Sequence, residues 1–496
     1  MTDQLAANHY TKNTPVLVGI GTITQREADP SQADEAVRLM VRAAEAAAAD
    51  CGKPELLSGV QRIAVPKGVW GYSDPARLVA DAVGAKATTV LAELGILQQS
   101  LFADACREIA SGRIDAALVV GAEAKYRQLQ SEIQGVAVSE TAQSKVPDIV
   151  FEPEREIWSD VESAAGLGMP VGFYALMESA LRYALGEDVE AHRDRVAGLY
   201  EAFSEVAKGN PHAWNREGMA AAAIRNASAK NRMLAFPYTK YHNSQWNVDQ
   251  AGALLFCSVA KAEALGIPRE KWVFPLASTE SNYMVNTSQR ADLAGSAGAR
   301  LAGEKALELA GLGVEDLDLL EMYSCFPSAV QIYARELGID LGRQLTVTGG
   351  MTFGGGPLNN FVLQSTCRMA ELLREQPGKK GLVTSVSGML TKQGFGVWST
   401  SPNPAGFGFA DLTSQAQSDA PPIELVVADS GEGVVVACTV LFHGDNPLRG
   451  VVVVTLDNGK RTVAFNDEAA VMDAMMSSEY CGHRVTISSD RFTPAE

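Results

Sequence analysis

The sequence predicts an α/β protein made of two similar halves and closed by a small antiparallel β domain. Three observations carry this. Helical faces alternate with continuously apolar strands, the pattern of sheets covered on both sides. The alternation occurs twice in the same order, and beyond residue 422 it gives way to short β-rich segments. At 496 residues the chain is long for one core, and its length suggests about three domains.

In the first half, Ala36, Leu39, Met40, Ala43, Ala44 and Ala47 recur at helical spacing, and "VQRIAVP" (Val60 to Pro66) reads as the strand after them. Phe102, Ala105, Cys106, Ile109 and Ala110 mark a second helical face, which leads into the strand "AALVVG" (Ala116 to Gly121). The second half repeats this order. Ala302, Ala306, Leu309 and Ala310 precede "DLDLLEMYSCF" (Asp316 to Phe326), and a helix from Leu358 to Arg374 precedes "KGLVTSVSG" (Lys380 to Gly388). These runs predict parallel sheets. From Lys125 to Tyr241 lies a helical and irregular insertion, of a size that on such scaffolds carries substrate contacts.

Residues 401–422, rich in Pro, Gly and Ser, read as a linker. The strands expected after it are "IELVVAD", "GVVVACTVLFH", "LRGVVVVTL", "KRTVAFN" and "HRVTIS", with turns at "DSGEG" and "DNGK" and one short helix between Glu468 and Met476. Short strands without a covering helix layer must remove their edges, which predicts a closed barrel.

A formal net charge of -17 argues against a general nucleic-acid binder or a protein of anionic membranes. No start of the signal-peptide kind and no membrane-spanning apolar run stand out, so a soluble, cytoplasmic protein is expected. Seven cysteines, scattered from Cys51 to Cys481 without a CxxC, suit a reducing compartment and no zinc site. Within the insertion, Arg225, Lys230, Arg232 and Lys240 reverse the acidic background. They read equally well as a solvated basic face or as a phosphate-contacting patch.

The stretch "GGMTFGGGPLNN" (Gly349 to Asn360) has the glycine content of a backbone that approaches a ligand closely. It is neither a GxxxxGK[ST] loop nor a GxGxxG turn with an acidic residue after it.

Taken with "SGRIDAALVVGAEA", "NRMLAFPYT", "VDQAGALLFCSVAKAEALGIP", "EMYSCFPSAV" and "GGMTFGGGP", this loop makes the chain resemble the thiolase superfamily. Its acetyl-CoA acetyltransferases and sterol-carrier-type thiolases are the members meant. The resemblance covers Pro15 to about Thr400. It implies a thiolase fold of two βαβαβαββ halves in five layers with an inserted loop domain, to which the small C-terminal antiparallel β-barrel is added. The implied divisions are 1–124 with 242–272, 125–241, 273–400, the linker 401–422 and the barrel 423–496. The resemblance also implies CoA or acyl-CoA as ligand, no covalently bound cofactor, no metal, and a cysteine nucleophile assisted by histidine and a second cysteine.

Here the sequence departs from the family pattern. The position of the nucleophilic cysteine falls on Gly95, that of the water-binding asparagine or histidine on Tyr323, that of the general-base histidine on Gly356 and that of the second cysteine on Val386. Glycine and valine supply neither a thiolate nor a base. Tyr323, Ser324, Cys325 and Gly388 are what remains of the site; main-chain donors at Gly95 and Gly388 survive any side-chain loss. Cys325 is expected to be a packing thiol, Cys106 and Cys257 inert buried cysteines, and His212 and His242 structural. Tyr323 enters proton transfer only if its pKa is lowered.

Three readings stay open: a CoA-thioester- or lipid-binding protein without thiolysis, a Tyr323-assisted retro-aldolase or acyltransferase, and an interaction protein with a vestigial cleft. In the first, the C-terminal β domain is a substrate or partner module, and a protein partner is expected to bind through it.

Overall fold

The computed structural model describes residues 10–155, 157–427 and 430–495. The first sheet has six strands in the order Pro15–Gln25, Asp249–Ser258, Ala116–Ala124, Arg62–Pro66, Thr88–Ala92, Ile149–Phe151. It is mixed: Asp249–Ser258 runs antiparallel to both neighbours, and the remaining pairs are parallel. The expectation of parallel sheets is corrected here, for a physical reason. A continuous apolar run reports burial on both faces, and every residue of the antiparallel Asp249–Ser258 is buried.

The helix Ala36–Asp50 lies on the outer face of this sheet. A Cβ at Gly19 or Gly21 would run into the carbonyl oxygens of Ala47 and Ala43, so the alanine stripe predicted on this helix matches two glycines that admit its backbone. The strand order also places Ile149–Phe151 along Thr88–Ala92, so the insertion covers that edge from within the same chain.

The second sheet runs Leu319–Glu321, Lys380–Ser387, Lys392–Ser399, Phe274–Ser281, Gly408–Asp411. Its last strand comes from residues expected to be a linker, and the helix Thr413–Asp419 follows it. Pro, Gly and Ser content reports turns; it does not register that a short strand between turns can complete an open edge. Two helices, Gln98–Ala110 and Phe361–Glu375, lie between the sheets, and Ala297–Ala310 covers the outer face of the second. Five layers result, as expected. No helix among the described residues is long and apolar enough to cross a membrane.

The tail forms the strands Ser430–His443, Asn446–Leu456, Arg461–Asn466, Arg484–Ser488 and Arg491–Pro494, with the helix Ala469–Ser477. Their pairings return on themselves, and the link between Arg461–Asn466 and Arg491–Pro494 is one parallel bridge, Phe465 to Arg491. "DNGK" forms the expected hairpin, with Gly459 at φ 82°. "DSGEG" does not form a turn: Ser430 to Gly433 are paired with Ser488 to Val485, and Asp429 lies outside the described residues.

The insertion extends this tail sheet through Met233–Ala235 and Tyr238–Thr239. The Phe236 N–H donates to Val440 O (2.8 Å), the Cys438 N–H to Ser179 Oγ (2.8 Å), and Arg182 pairs with Glu479 at 2.8 Å. Arg461 Nη1 donates to the carbonyls of Ser288 and Arg290, 3.1 Å each, where all three groups are buried. Arg461→Ala leaves two buried acceptors unpaired, each worth about 1–3 kcal/mol. The expected outcome is a lower first transition in calorimetry and faster proteolysis around residues 421–427, with the six-stranded and five-stranded sheets unaffected.

Candidate functional site between the sheets

The glycine stretch is shaped by a buried carboxylate. Glu321 ends the strand Leu319–Glu321 and accepts from the N–H groups of Val347 and Thr348 (2.8 Å each) and from the hydroxyls of Thr346 and Thr348. Burial pushes its pKa up to about 7, and those donors pull the other way. Thr346 Oγ1 accepts in turn from Gly349 and Gly350 (3.0 Å each). Ser324 Oγ accepts from Met351 N at 2.9 Å, so the Tyr323 to Phe326 stretch also holds the turn.

Gly349 and Gly350 sit at φ 93° and 70°, where an L side chain is strained. A Cβ at Gly349 would lie 2.7 Å from Ala207 Cα and 2.8 Å from Ala207 N, backbone that cannot step aside. Gly349→Ala is therefore expected to cost about 3 kcal/mol, through overpacking and backbone strain together. Urea unfolding measures it; an unchanged midpoint would show that the insertion helix Val189–Gly209 does not rest on this turn.

The remaining glycines are filled in. At Gly355 (φ 111°) a Cβ would collide with the Gln250 side chain, whose Nε2 donates to Gly354 O (3.0 Å) and His212 O (3.2 Å). At Gly356 it would lie 2.9 Å from Ser244 Cβ and 3.1 Å from Met351 O. The segment around Ser244 is fastened there: Gly356 N donates to Gln245 O (2.9 Å), and Gln245 N to Met351 O (3.0 Å). An imidazole at position 356 has no room unless this segment moves.

Gly95 (φ 97°) precedes the helix Gln98–Ala110, and its Cβ would meet Pro153 at 3.1 Å. Val386, nearly at the end of the strand Lys380–Ser387, is buried. Gly388, Met389 and Leu390 then follow at φ 60°, 56° and 62°. Two consecutive non-glycine residues in the left-handed region cost about 1–2 kcal/mol each, and the fully buried Leu390 holds them there. Strain of this kind collects at functional loops.

Gln98 connects these parts. Its Oε1 accepts from Val362 N (2.7 Å), its Nε2 donates to Asn359 Oδ1 (3.2 Å), and its side chain lies near enough to the Tyr323 hydroxyl to oppose the rise of its pKa. The structure thus brings Tyr323, Ser324, the glycine turn and the start of the Gly95 helix together. Neither Gln98 nor Gln250 nor Glu321 was marked by sequence reasoning. The signal available was a carboxylate inside the apolar run "LLEMY" and a polar Gln-Gln pair opening an apolar helix.

Among the described residues no hydrogen bond joins a thiol to an imidazole. Burial pushes the Cys325 thiol up to about 12, against a hydrogen bond with Tyr174; Cys367 reaches about 12 and Cys106 and Cys257 rise further. His242 is buried and brought down to about 4, its Nδ1 accepting from Thr239 N at 3.2 Å. His212 lies closer to the glycine turn than its sequence position suggested. It lines a cavity of about 10 Å³ with Gly354 and Gly355, its ring 3.6 Å from Glu371. Tyr323 does not meet the condition set for a base, because burial raises its pKa. Of the basic cluster, Arg225 is paired with Glu190 and Asp194, while Lys230, Arg232 and Lys240 are exposed, and Lys240 N donates to Arg232 O at 2.9 Å.

Comparison with known proteins agrees with this architecture. Residues 412–491 match the family model described as the thiolase-like protein type 1 additional C-terminal domain. An acetyl-CoA acetyltransferase of Pseudomonas aeruginosa is 34% identical over 140 residues, 27% of this chain and 32% of the relative; the chain thus matches about a third of that protein's length. A crystal structure of a monomeric SCP2-thiolase like protein type 1 from Mycobacterium smegmatis superposes with a TM-score of 0.82 at 26% identity, covering 98% of this chain and all of that one. The Ltp2-ChsH2(DUF35) aldolase shares the fold at a TM-score of 0.58 and 18% identity, over 78% of this chain and 98% of that one. With two sheets enclosing paired helices, a glycine turn at their strand ends and this tail, the chain has the thiolase fold, and its residues 412–491 match the additional C-terminal domain of the thiolase-like protein type 1 family.

Proposed function

We propose that this chain binds CoA thioesters, or a related lipid thioester, without thiolysis or Claisen condensation. The observation that carries the reading is the filling of Gly95 and Gly356 by Pro153 and Ser244, at the positions where the family resemblance puts a thiol and an imidazole. Without a thiolate no acyl-enzyme forms, and removal of a nucleophile alone costs on the order of 10⁶ in rate. Main-chain N–H groups at Gly95 and Gly388 remain suited to polarise a thioester carbonyl. Lys230, Arg232 and Lys240, exposed on the segment that leads to Ser244, suit CoA phosphates; Arg225 is already engaged by carboxylates.

Calorimetry with CoA, acetyl-CoA and acetoacetyl-CoA is expected to give heat, and a thiolysis assay on acetoacetyl-CoA none above background. Thiolysis that disappears in Cys325→Ser would refute the reading.

A second reading is altered chemistry on a β-hydroxyacyl-CoA, favoured by the shared fold with an aldolase and by the Tyr323 hydroxyl beside Gln98. As a donor, Tyr323 would stabilise an alkoxide and not remove a proton. Tyr323→Phe is then expected to lower turnover by about 10²–10³, the cost of losing one such donor; an unchanged rate removes this reading. If no nucleotide or thioester gives heat, the vestigial-cleft reading is preferred, with the C-terminal domain as the partner surface.

A further inference from the structure

Lys392 opens the strand Lys392–Ser399 directly after the strained Gly388–Leu390 turn, and it is only 3% exposed. Side chains alternate along a strand. Lys392 therefore shares a face with Gly394 and Gly396, both of which lie against Gln99 in the first turn of the helix that begins beside Gly95. The amine is directed between the two halves, at the end where the Gly95 and Gly388 loops meet the central helix.

Among the described residues no carboxylate pairs with this amine within 4 Å; the charges of Glu154 and Glu280 act on it from further away and favour its protonated form. Glu280 lies on the same face of the sheet, buried, and accepts from the Ser100 hydroxyl. Glu154 is exposed and follows Pro153, the residue that lies on Gly95. An ammonium buried without close pairing is costly. Burial accordingly holds the Lys392 pKa below the ordinary lysine value. By contrast, Lys271 and Lys305 sit 2.7 and 2.6 Å from their carboxylates.

Next to the loop is a cavity of about 210 Å³ lined by Arg155, Trp158, Tyr283 and Met284. Met284 also lies against Gly388, and Thr391 Oγ1 is 3.1 Å from its sulfur. A flexible thioether thus stands between the cavity and the turn that carries Lys392.

We propose that Lys392 is a nucleophilic amine of this crevice that condenses with the ketone or aldehyde carbonyl of a bound acyl ligand. The lone pair of the neutral Nζ adds to the carbonyl carbon, the C=O π pair moves to oxygen, and a carboxylate carries the proton from nitrogen to that oxygen. Loss of the hydroxyl as water leaves a C=N bond. The balance is carbonyl plus amine giving imine plus water, with no oxidant or reductant. The inference rests on the reading that the crevice admits a β-keto thioester.

The test is trapping with sodium borohydride, whose hydride, with one proton, converts C=N to a secondary amine. Full-length protein is incubated with acetoacetyl-CoA in one arm and with acetoacetate in the other, then reduced and mapped by peptide mass spectrometry. A stoichiometric adduct on the Lys392 peptide, absent in K392M and K392R, is expected. No adduct on that peptide in either arm, or labelling spread evenly over exposed lysines such as Lys230 and Lys240, overturns the proposal. Calorimetric heat with acetoacetyl-CoA but no adduct sinks this inference and leaves thioester binding standing. An acetoacetate adduct without heat from any CoA compound does the reverse. If K392M does not fold, the wild-type map alone decides.

Discussion

Replacing His192 by alanine is expected to cost about 3–5 kcal/mol, the range for breaking a buried charged pair by removing one partner. His192 is fully buried, its Nε2 2.6 Å from Glu178 and its Nδ1 2.6 Å from Glu187. Glu178, also fully buried, accepts further from Gln331 Nε2 (2.8 Å) and from the Tyr238 hydroxyl. Tyr238 continues to Ser328 Oγ at 3.0 Å, in the first turn of the helix Pro327–Leu337 that follows the Tyr323 to Phe326 stretch. The alanine variant leaves a carboxylate in the core without its main partner. Glu178→Gln, which keeps the shape and removes the charge, is expected to cost less.

The same network sets an acid limit. Burial raises the Glu178 pKa, but hydrogen bonding and charge from His192, with Tyr238 and Gln331, more than reverse it and leave it below the ordinary value of 4.5. A carboxylate lowered on folding stabilises the native state above its unfolded pKa, and the contribution is lost as pH falls through the folded value. Urea midpoints are expected to fall steeply below about pH 4.5 in wild type. A flat profile between pH 6 and 3 would contradict the ion network.

Glu123→Gln is expected to stabilise the protein at alkaline pH by up to about 5 kcal/mol. Glu123 lies in the strand Ala116–Ala124, 1% exposed; one oxygen accepts from Val69 N at 2.9 Å, and the other has no partner among the described residues. Burial pushes its pKa up from 4.5 to about 8, against the Val69 hydrogen bond. For a raised group the sign is opposite: its contribution is fully present below the unfolded pKa and lost as pH rises through the folded one. Over roughly 3.5 pH units at 1.36 kcal/mol each, this amounts to about 5 kcal/mol. The glutamine variant removes the slope, so its gain is expected to be small at pH 4.5 and complete above pH 8. Parallel stability profiles for the two proteins would place the carboxylate in water instead.

Much of the architecture was legible because it depends on local pattern. The alanine stripe from Ala36 to Ala47, the apolar run Ala116 to Gly121 and the "DNGK" hairpin each state their conformation within a few residues. Strand direction was not, since Asp249–Ser258 is as apolar as a parallel strand. The linker reading failed for a similar reason: Gly408–Asp411 becomes a strand only because Phe274–Ser281 leaves an edge beside it. In the site, the glycines at 95 and 356, where the resemblance leads one to expect a cysteine and a histidine, were visible in the chain, but the side chains that lie against them were not. Pro153 and Ser244 are 58 and 112 positions away from Gly95 and Gly356 in the sequence.

By itself, then, the sequence determined the two-half α/β plan, the β-rich tail and the residue types at four expected catalytic positions. Those follow from periodicity and spacing. Only the tertiary structure decided that Gly355 and Gly356 face Gln250 and Ser244, that burial raises the Tyr323 pKa, and that Lys392 is buried. The physical reason is that free volume and desolvation belong to surfaces brought together by folding, and neither can be assigned to a residue until its distant neighbours are in place.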